Sequence, residues 1–201
     1  PVTPAYELSI RRTPSARASL VGAEVERRLA AWESGEILGA MSSEERLSVA
    51  AGIGLAFHSR RALEHPIEGL AAALPDWLPL GWSAAKNRIT MLDPVVADYV
   101  PAPDLSPMID EMRATGGLLV ERRPGVLAFA DIAFQEYLAA IASMENDSLL
   151  EELFWERADP WWQPVLVFAS ALPEHLAKAQ KPVDLVRMLL EEDTAAASTT
   201  T

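Results

Sequence analysis

The chain has 201 residues, half of them hydrophobic, with 17 basic and 29 acidic side chains and a formal net charge of −12. This length is sufficient for one or two compact domains, whereas the negative charge disfavours nucleic acid, whose binding rests on Lys and Arg replacing counterions. The absence of cysteine excludes disulfide frameworks and thiol chemistry. Because the apolar runs are far shorter than a membrane span and no signal peptide is recognisable, we expect a cytoplasmic protein.

The N-terminal part is predicted to contain a linker and two helices. Several prolines in the first fifteen residues are typical of an extended linker. Apolar residues at near four-residue spacing then predict an amphipathic helix over 15–33. Ser42 and Glu45 form a capping-box pattern, which predicts a second helix over 43–62. The apolar stripe of the first helix consists of Val21, Val25, Leu29 and Trp32.

The stretch over 65–100 is rich in proline and tryptophan. Pro66 fits the first turn of a helix that ends at Pro75. A packed apolar corner is expected after it, and Asp93 followed by proline predicts the start of a short helix.

The next segment carries the one convincing β-pattern of the chain. A proline at its second position predicts a helix over 106–114. Gly116 or Gly117 closes that helix, because glycine accepts the left-handed backbone conformation. The apolar segments 118–120 and 126–129 then form the two arms of a hairpin around an Arg-Pro-Gly turn.

The hairpin is followed by a further helix that Asp131 is placed to cap and that runs to about residue 144. Helix, hairpin and helix in this order are typical of a winged-helix domain. We therefore predict a mainly α fold: a helical bundle with a winged-helix subdomain that carries one short β-hairpin. The predicted segments are a linker over 1–15, a helical segment over 16–64, the winged-helix domain over 65–145, a C-terminal helical segment over 146–192 and a disordered tail over 193–201.

The sequence contains no recognised motif for catalysis or nucleotide binding, such as a G-x-x-x-x-G-K-[ST] phosphate loop or H-E-x-x-H. His58, Glu64 and His65 could reach a metal, but their spacing fits no recognised site. We expect the histidines on partly exposed helix faces or ends. Paired carboxylates such as Glu151 and Glu152 are expected on solvent-facing helix surfaces. We expect no catalytic residue, metal site or cofactor in this chain, and no enzymatic activity of the chain by itself.

The tryptophans are the most conspicuous remaining group. A platform that stacks nucleic-acid bases needs interleaved basic side chains, whereas the neighbours here are Asp76, Glu156 and Asp159. Packing in the core or at an interface is therefore the favoured interpretation. The candidate interface residues are Trp77, Trp82, Trp155, Trp161 and Trp162.

A DNA-binding winged helix is a weaker alternative. A reader of duplex DNA places Arg and Lys on the helix that enters the groove. The helix before the wing offers Asp110 and Glu111 against Arg113. Arg122 and Arg123 at the wing tip are the only basic feature in favour of DNA.

The segment over 116–140 resembles the winged-helix region of bacterial NACHT-type signal-transduction NTPases, also called STAND NTPases. That family shows a Gly-Leu-Leu wing followed by the pattern F-x-H-x-[ST]-F-Q-E-[FY]-x-A-A. This chain reads G-G-L-L-V-E, then G-V-L-A-F, then F-Q-E-Y-L-A-A in the same order. A tryptophan-bearing stretch over 159–172 that leads into another helix is also similar.

The resemblance implies a regulatory module. In the family, this region follows the ATP-binding core, and the winged helix closes over ADP to hold the protein inactive. The family histidine that contacts the nucleotide phosphate corresponds to Asp131, and the [ST] position corresponds to Ala133. Since a carboxylate is repelled by a diphosphate, Asp131 is expected to act as a helix N-cap. The motif's other residues are Phe129, Phe134 and Tyr137, expected in the core, and Gln135 and Glu136, expected to bond to neighbouring helices.

These features predict a non-catalytic regulatory part of a NACHT-like NTPase that acts by domain closure over a nucleotide-binding core outside this chain. The expected partner is that core, with its ADP or ATP, and an oligomer can form on activation. The alternatives are a freestanding helical adaptor with a degenerate NACHT-like winged helix, an enzyme with an unrecognised carboxylate site and, with least support, a DNA-binding regulator.

Overall fold

The computed structural model describes residues 13–36, 38–67, 106–114, 117–145, 147–173, 176 and 182–188. Its helices are α1 (Pro14–Ala30), α2 (Ser43–Ser59), α3 (Ser106–Ala114), α4 (Ile132–Glu145), α5 (Asp147–Trp155), α6 (Gln163–Ser170) and α7 (182–188), and its strands are β1 (His65–Pro66), β2 (Leu119–Arg123) and β3 (Val126–Phe129). Short 3₁₀ turns follow α1 at Ala31–Ser34 and α5 at Glu156–Ala158. No described helix is both long and apolar enough to cross a membrane.

The described residues form a mainly α-helical fold with one small antiparallel sheet, as the sequence predicts. The strand order is β1-β3-β2, with His65 opposite Leu127 and Leu119 opposite Phe129. The chain passes from α2 through β1 and α3 to the β2–β3 hairpin, and the last strand lies between the other two. This is the strand arrangement of a winged helix, in which the hairpin is the wing.

Two compact units can be distinguished. One contains residues up to Leu20 and those from Ala140 onward, and the other is Val21–Ala139. The second unit holds the sheet, α2 and α3. The first holds α5, α6 and α7, whose buried side chains include Leu153, Val165 and Phe168.

The capping box predicted for α2 is confirmed. The Ser42 hydroxyl accepts a hydrogen bond from the Glu45 amide at 3.2 Å, and the Ser42 amide donates to the Glu45 carboxylate at 2.6 Å. The helix ends at Ser59 rather than near Ala62, because Arg61 adopts a left-handed conformation with φ of 53°.

Replacing Ser42 with alanine is expected to lower the free energy of unfolding by about 1 kcal/mol, because the Glu45 amide loses its acceptor at the start of α2. Urea denaturation followed by circular dichroism measures the change. Ser43→Ala, at the neighbouring exposed position inside the helix, is the matched control and should change stability by less than about 0.5 kcal/mol. Equal effects of the two variants would contradict a specific role for the cap.

Pro66 was expected in the first turn of a helix, whereas His65 and Pro66 form β1. Ile67, directly after it, is helical, and the remainder of that expected helix lies outside the described residues. Proline has no amide hydrogen to donate, and it is tolerated here because β1 is an edge strand. The amide of Ile67 still donates to the Gly125 carbonyl at 2.9 Å. The sheet therefore has a third strand beside the predicted hairpin.

The helix and hairpin over 106–129 agree with the prediction. Helix α3 spans Ser106–Ala114, and Gly117 has φ of 60°, the left-handed conformation expected just beyond the helix. Strand β2 contains a bulge between Glu121 and Arg123. The packed corner with Trp77 and Trp82, the helices expected after Pro66 and Asp93, the first twelve residues and the C-terminal tail lie outside the described residues.

Candidate functional site

The start of α4 is the position that the family pattern assigns to nucleotide sensing. There the Asp131 carboxylate accepts a hydrogen bond from the Ala133 amide at 2.9 Å, and the Asp131 carbonyl accepts one from the Phe134 amide at 3.1 Å. Asp131 is exposed. Its side chain thus satisfies one of the otherwise unbonded amides of the first helical turn, which is the work of an N-cap.

The three aromatic residues of the motif lie in the core. Phe129 packs edge-on against Phe57, with ring centroids 5.5 Å apart and an interplanar angle of 82°. Phe134 lies under the Arg28 guanidinium, whose central carbon is 4.9 Å from the ring centroid. Tyr137 is buried as well.

The two polar residues of the motif are also buried, although Gln and Glu are mostly exposed in proteins. The side-chain amide nitrogen of Gln135 has no hydrogen-bond partner among the described residues. Leaving such a donor unsatisfied costs free energy. Both side chains, Gln135 and Glu136, thus lie on the buried side of α4 and not on its solvent-facing surface.

The Tyr137 hydroxyl lies beside Gly22 of α1, where an added Cβ would approach the phenolic oxygen to 2.5 Å. Burial, together with the negative charge of Glu26, raises the pKa of Tyr137 to about 12. The phenol is therefore held in its neutral form.

This raised pKa predicts a specific alkaline destabilisation. The unfolded phenol ionises near pH 10.0 and the folded one only near pH 12, so the stability that the neutral Tyr137 contributes is complete below pH 10 and is lost as the pH rises to about 12. Tyr137→Phe should lose less free energy of unfolding across this interval than the parent chain. Urea denaturation at several pH values measures how the free energy of unfolding of each chain depends on pH. Below pH 9 the curves of the two chains should run parallel, which is the internal control. Parallel curves between pH 10 and pH 12 would contradict the prediction.

A cluster around Arg28 joins α1 to the winged helix. Its guanidinium donates to the Glu24 carboxylate at 2.7 Å and to the carbonyl of Gly117, besides covering the Phe134 ring. The hydrogen bond from Arg27, with a further one from Arg28, lowers the pKa of Glu24 to about 2. This cluster was not predicted from the sequence, in which the four-residue spacing of Glu24 and Arg28 is its only local signal.

The connection between α1 and α2 is fixed by hydrogen bonds with Glu111 of α3 and with Arg46 of α2. The Glu111 carboxylate of α3 accepts hydrogen bonds from the amides of Glu36 and Leu38, both at 2.8 Å. The buried Arg46 of α2 donates to the carbonyls of Met41 at 2.7 Å and Leu38 at 3.3 Å. Another Arg46 nitrogen forms an ion pair at 2.7 Å with the exposed Glu33.

The basic residues of the wing are engaged within the winged helix itself. Arg122 donates to the Ala130 carbonyl at 3.0 Å, and Arg123 forms an ion pair with Glu64 at 2.9 Å. Glu121 bonds to Arg113 of α3 and accepts from the Gly125 amide at 2.7 Å. Hydrogen bonding by Gly125 and then by Arg113 lowers the pKa of Glu121.

The candidate metal residues have separate roles. His58 is buried, which corrects the expectation of a partly exposed histidine, and the His65 ring packs on Phe57 at 5.8 Å. Glu64 bonds to Arg123. Within the described ranges no three His, Cys, Asp or Glu residues could together hold a metal ion.

The three described tryptophans of the candidate interface differ in exposure. Trp162 is 7% exposed and Trp161 is intermediate, whereas Trp155 at the end of α5 is 71% exposed. The Trp161 amide donates to the Asp159 carboxylate at 2.9 Å. Trp155 is therefore the one of the three whose side chain is largely open to a partner; Trp77 and Trp82 are outside the described part of the chain.

Comparisons of this chain with protein-family models, with curated proteins and with solved structures gave no match.

Proposed function

We propose that this chain is the winged-helix and adjoining helical part of a bacterial NACHT-type NTPase, and that it regulates a nucleotide-binding core by closing against it. The observation that supports this most is the motif helix α4. It follows the wing directly, and it buries Phe134, Gln135 and Tyr137. The F-Q-E-Y residues therefore serve to pack α4 against its neighbours, which is the role expected of this motif in a regulatory winged-helix domain.

Closure of this kind requires no catalytic group in the closing part. A regulatory domain shifts an equilibrium by contacting one state of its partner better than the other. In this proposal the free energy of closure comes from protein contacts. Asp131 is not expected to contribute a contact with ADP, because its carboxylate is bonded to the Ala133 amide and would be repelled by the diphosphate.

The first test is the coding sequence upstream of Pro1. The proposal requires a phosphate loop of the form G-x-x-x-x-G-K-[ST], expected about 150 to 300 residues earlier. A coding sequence without such a loop would instead favour the freestanding adaptor.

The second test is calorimetric. The purified chain is titrated with the upstream nucleotide-binding core, with and without ADP. We expect binding in both cases, with a Kd that ADP changes by less than about threefold. Failure to bind under either condition would overturn the proposal.

Variants at position 131 sharpen this experiment. Asp131→His restores the residue of the family pattern and should make binding at least about fivefold tighter with ADP than without it, because imidazole can donate to a phosphate. Asp131→Asn is the matched control, since it keeps a good N-cap and removes the charge without adding the imidazole. Equal nucleotide dependence of all three chains would contradict a nucleotide contact at this position.

The adaptor alternative is favoured by one observation, the exposure of Trp155. The DNA-binding alternative has less support. Helix α3, which would enter the groove, buries Met108, Ile109 and Met112, and its Glu111 carboxylate is bonded to the α1–α2 connection. Fluorescence anisotropy with labelled duplex DNA tests the DNA-binding alternative. Binding that weakens as the salt concentration rises would support it.

A further inference from the structure

The solvent-facing side of α5 combines an aromatic ring with two carboxylates. Leu150, Leu153 and Phe154 are buried, while Glu151, Glu152 and Trp155 are exposed. Residues three and four positions apart are neighbours on a helix surface. Glu151 and Glu152, four and three positions before Trp155, therefore lie on the same side of α5 as Trp155.

The exposure of Trp155 is unusual. Burial of a large aromatic side chain is strongly favourable, yet this ring is 71% exposed, against 7% for Trp162 in the same unit. Tryptophan is enriched at protein interfaces, and also among the few interface residues that contribute most of the binding energy. An exposed tryptophan at the end of a helix is therefore a candidate anchor for a partner.

The chemistry of that partner follows from the surroundings of the ring. The Arg157 guanidinium lies 4.3 Å from the Phe154 ring centroid and 5.9 Å from that of Trp155, and it donates to the Phe154 carbonyl at 3.1 Å. These aromatic rings thus already accommodate a cation. A second cation on the open part of the Trp155 ring would gain attraction from the π-face and from the two carboxylates, which together oppose the repulsion by Arg157.

We propose that Glu151, Glu152 and Trp155 form a docking site for an arginine- or lysine-bearing segment of a partner protein. Charge complementarity selects this occupant, because the site is acidic and the chain carries a net charge of −12. The same charge disfavours a second copy of the chain, whose acidic α5 face would repel this one. The site lies on α5 and does not depend on the NTPase proposal.

The test measures binding of a defined peptide to the intact chain by isothermal titration calorimetry. The probe is a peptide of alternating arginine and glycine; its control replaces each arginine with citrulline, which is uncharged and nearly the same shape. We expect the arginine peptide to bind and the citrulline peptide to bind at least about tenfold more weakly. Similar affinities of the two peptides would overturn the proposal.

Three variants separate the site from general electrostatic attraction. Trp155→Ala and the double variant Glu151→Gln/Glu152→Gln should each weaken binding at least about fivefold. The control Glu36→Gln/Glu44→Gln makes the same change in net charge at exposed positions elsewhere and should keep the Kd within about twofold. Trp155→Phe should keep part of the affinity, because it retains an aromatic face.

Two outcomes would refute the site. Equal weakening by the two double variants would show that the peptide responds only to overall charge. Self-association that depends on Trp155 in sedimentation experiments, together with no binding of the arginine peptide, would show that the occupant is a second copy. Circular dichroism of each variant establishes that the fold is unchanged, as expected for exposed side chains.

Discussion

Replacing Gly54 with alanine is expected to lower the free energy of unfolding by about 2 kcal/mol, although alanine is the better helix former. At Gly54, α2 approaches α4 closely: an added Cβ would lie 2.6 Å from the Leu138 Cβ, 3.1 Å from the Ala139 amide nitrogen and 3.2 Å from the Gln135 carbonyl oxygen. Two of these neighbours are backbone atoms, so no side-chain rotation relieves the contact. The two helices must separate where the motif residues are buried.

Urea denaturation measures the effect, and a reversed substitution calibrates it. Ala23→Gly on the exposed face of α1 measures the intrinsic difference between the two residues, which should be about 1 kcal/mol in favour of alanine. If Gly54→Ala leaves the chain as stable as before or more stable, α2 and α4 do not approach one another as described.

Replacing Arg46 with methionine is expected to lower the free energy of unfolding by about 2 kcal/mol. Methionine retains much of the apolar stem but removes the guanidinium that donates to the carbonyls of Leu38 and Met41. The Leu38 carbonyl keeps the Met41 amide as a donor at 3.1 Å, whereas the buried Met41 carbonyl loses its donor, which costs about 1 to 3 kcal/mol. The ion pair with Glu33 contributes less, because the Glu33 side chain is 64% exposed and is readily hydrated after the change.

Arg27→Met is the matched control for this prediction. Arg27 pairs with Glu24 at 2.7 Å, but its side chain is 66% exposed, so its replacement should lower the free energy of unfolding much less than that of Arg46. Thermal and urea unfolding of both variants give the comparison. A similar small loss for Arg46 would mean that the α1–α2 connection is stabilised by its apolar residues alone.

The parts of the fold that were predictable from sequence have local signals. The capping box at Ser42 needs residues only three positions apart, and the wing combines apolar arms with an Arg-Pro-Gly turn. Strand β1 has no such signal, since two residues cannot show alternation. It forms because His65 and Pro66 pair with Leu127 and Val126 of β3, which are about 60 positions away in the sequence.

The candidate site shows the same division. The cap role of Asp131 follows from its position at the helix start, and the burial of Phe134 and Tyr137 follows from helix periodicity. The bonds of Glu111 to the amides of Glu36 and Leu38 could not be predicted, because they join segments more than 70 positions apart and depend on how helices pack. In the sequence, Glu111 is only one of two acidic residues on a short helix.

The pairing of β1 with β3 also determines when the winged helix can be completed during synthesis. His65 and Pro66 leave the ribosome well before Leu127 and Val126, their only strand partners in the described residues. Domains generally fold as units during translation, so a nascent chain that stops before β3 holds β1 without a partner. The sheet can close only once the ribosome has moved past the wing, and the motif helix is the next segment to emerge.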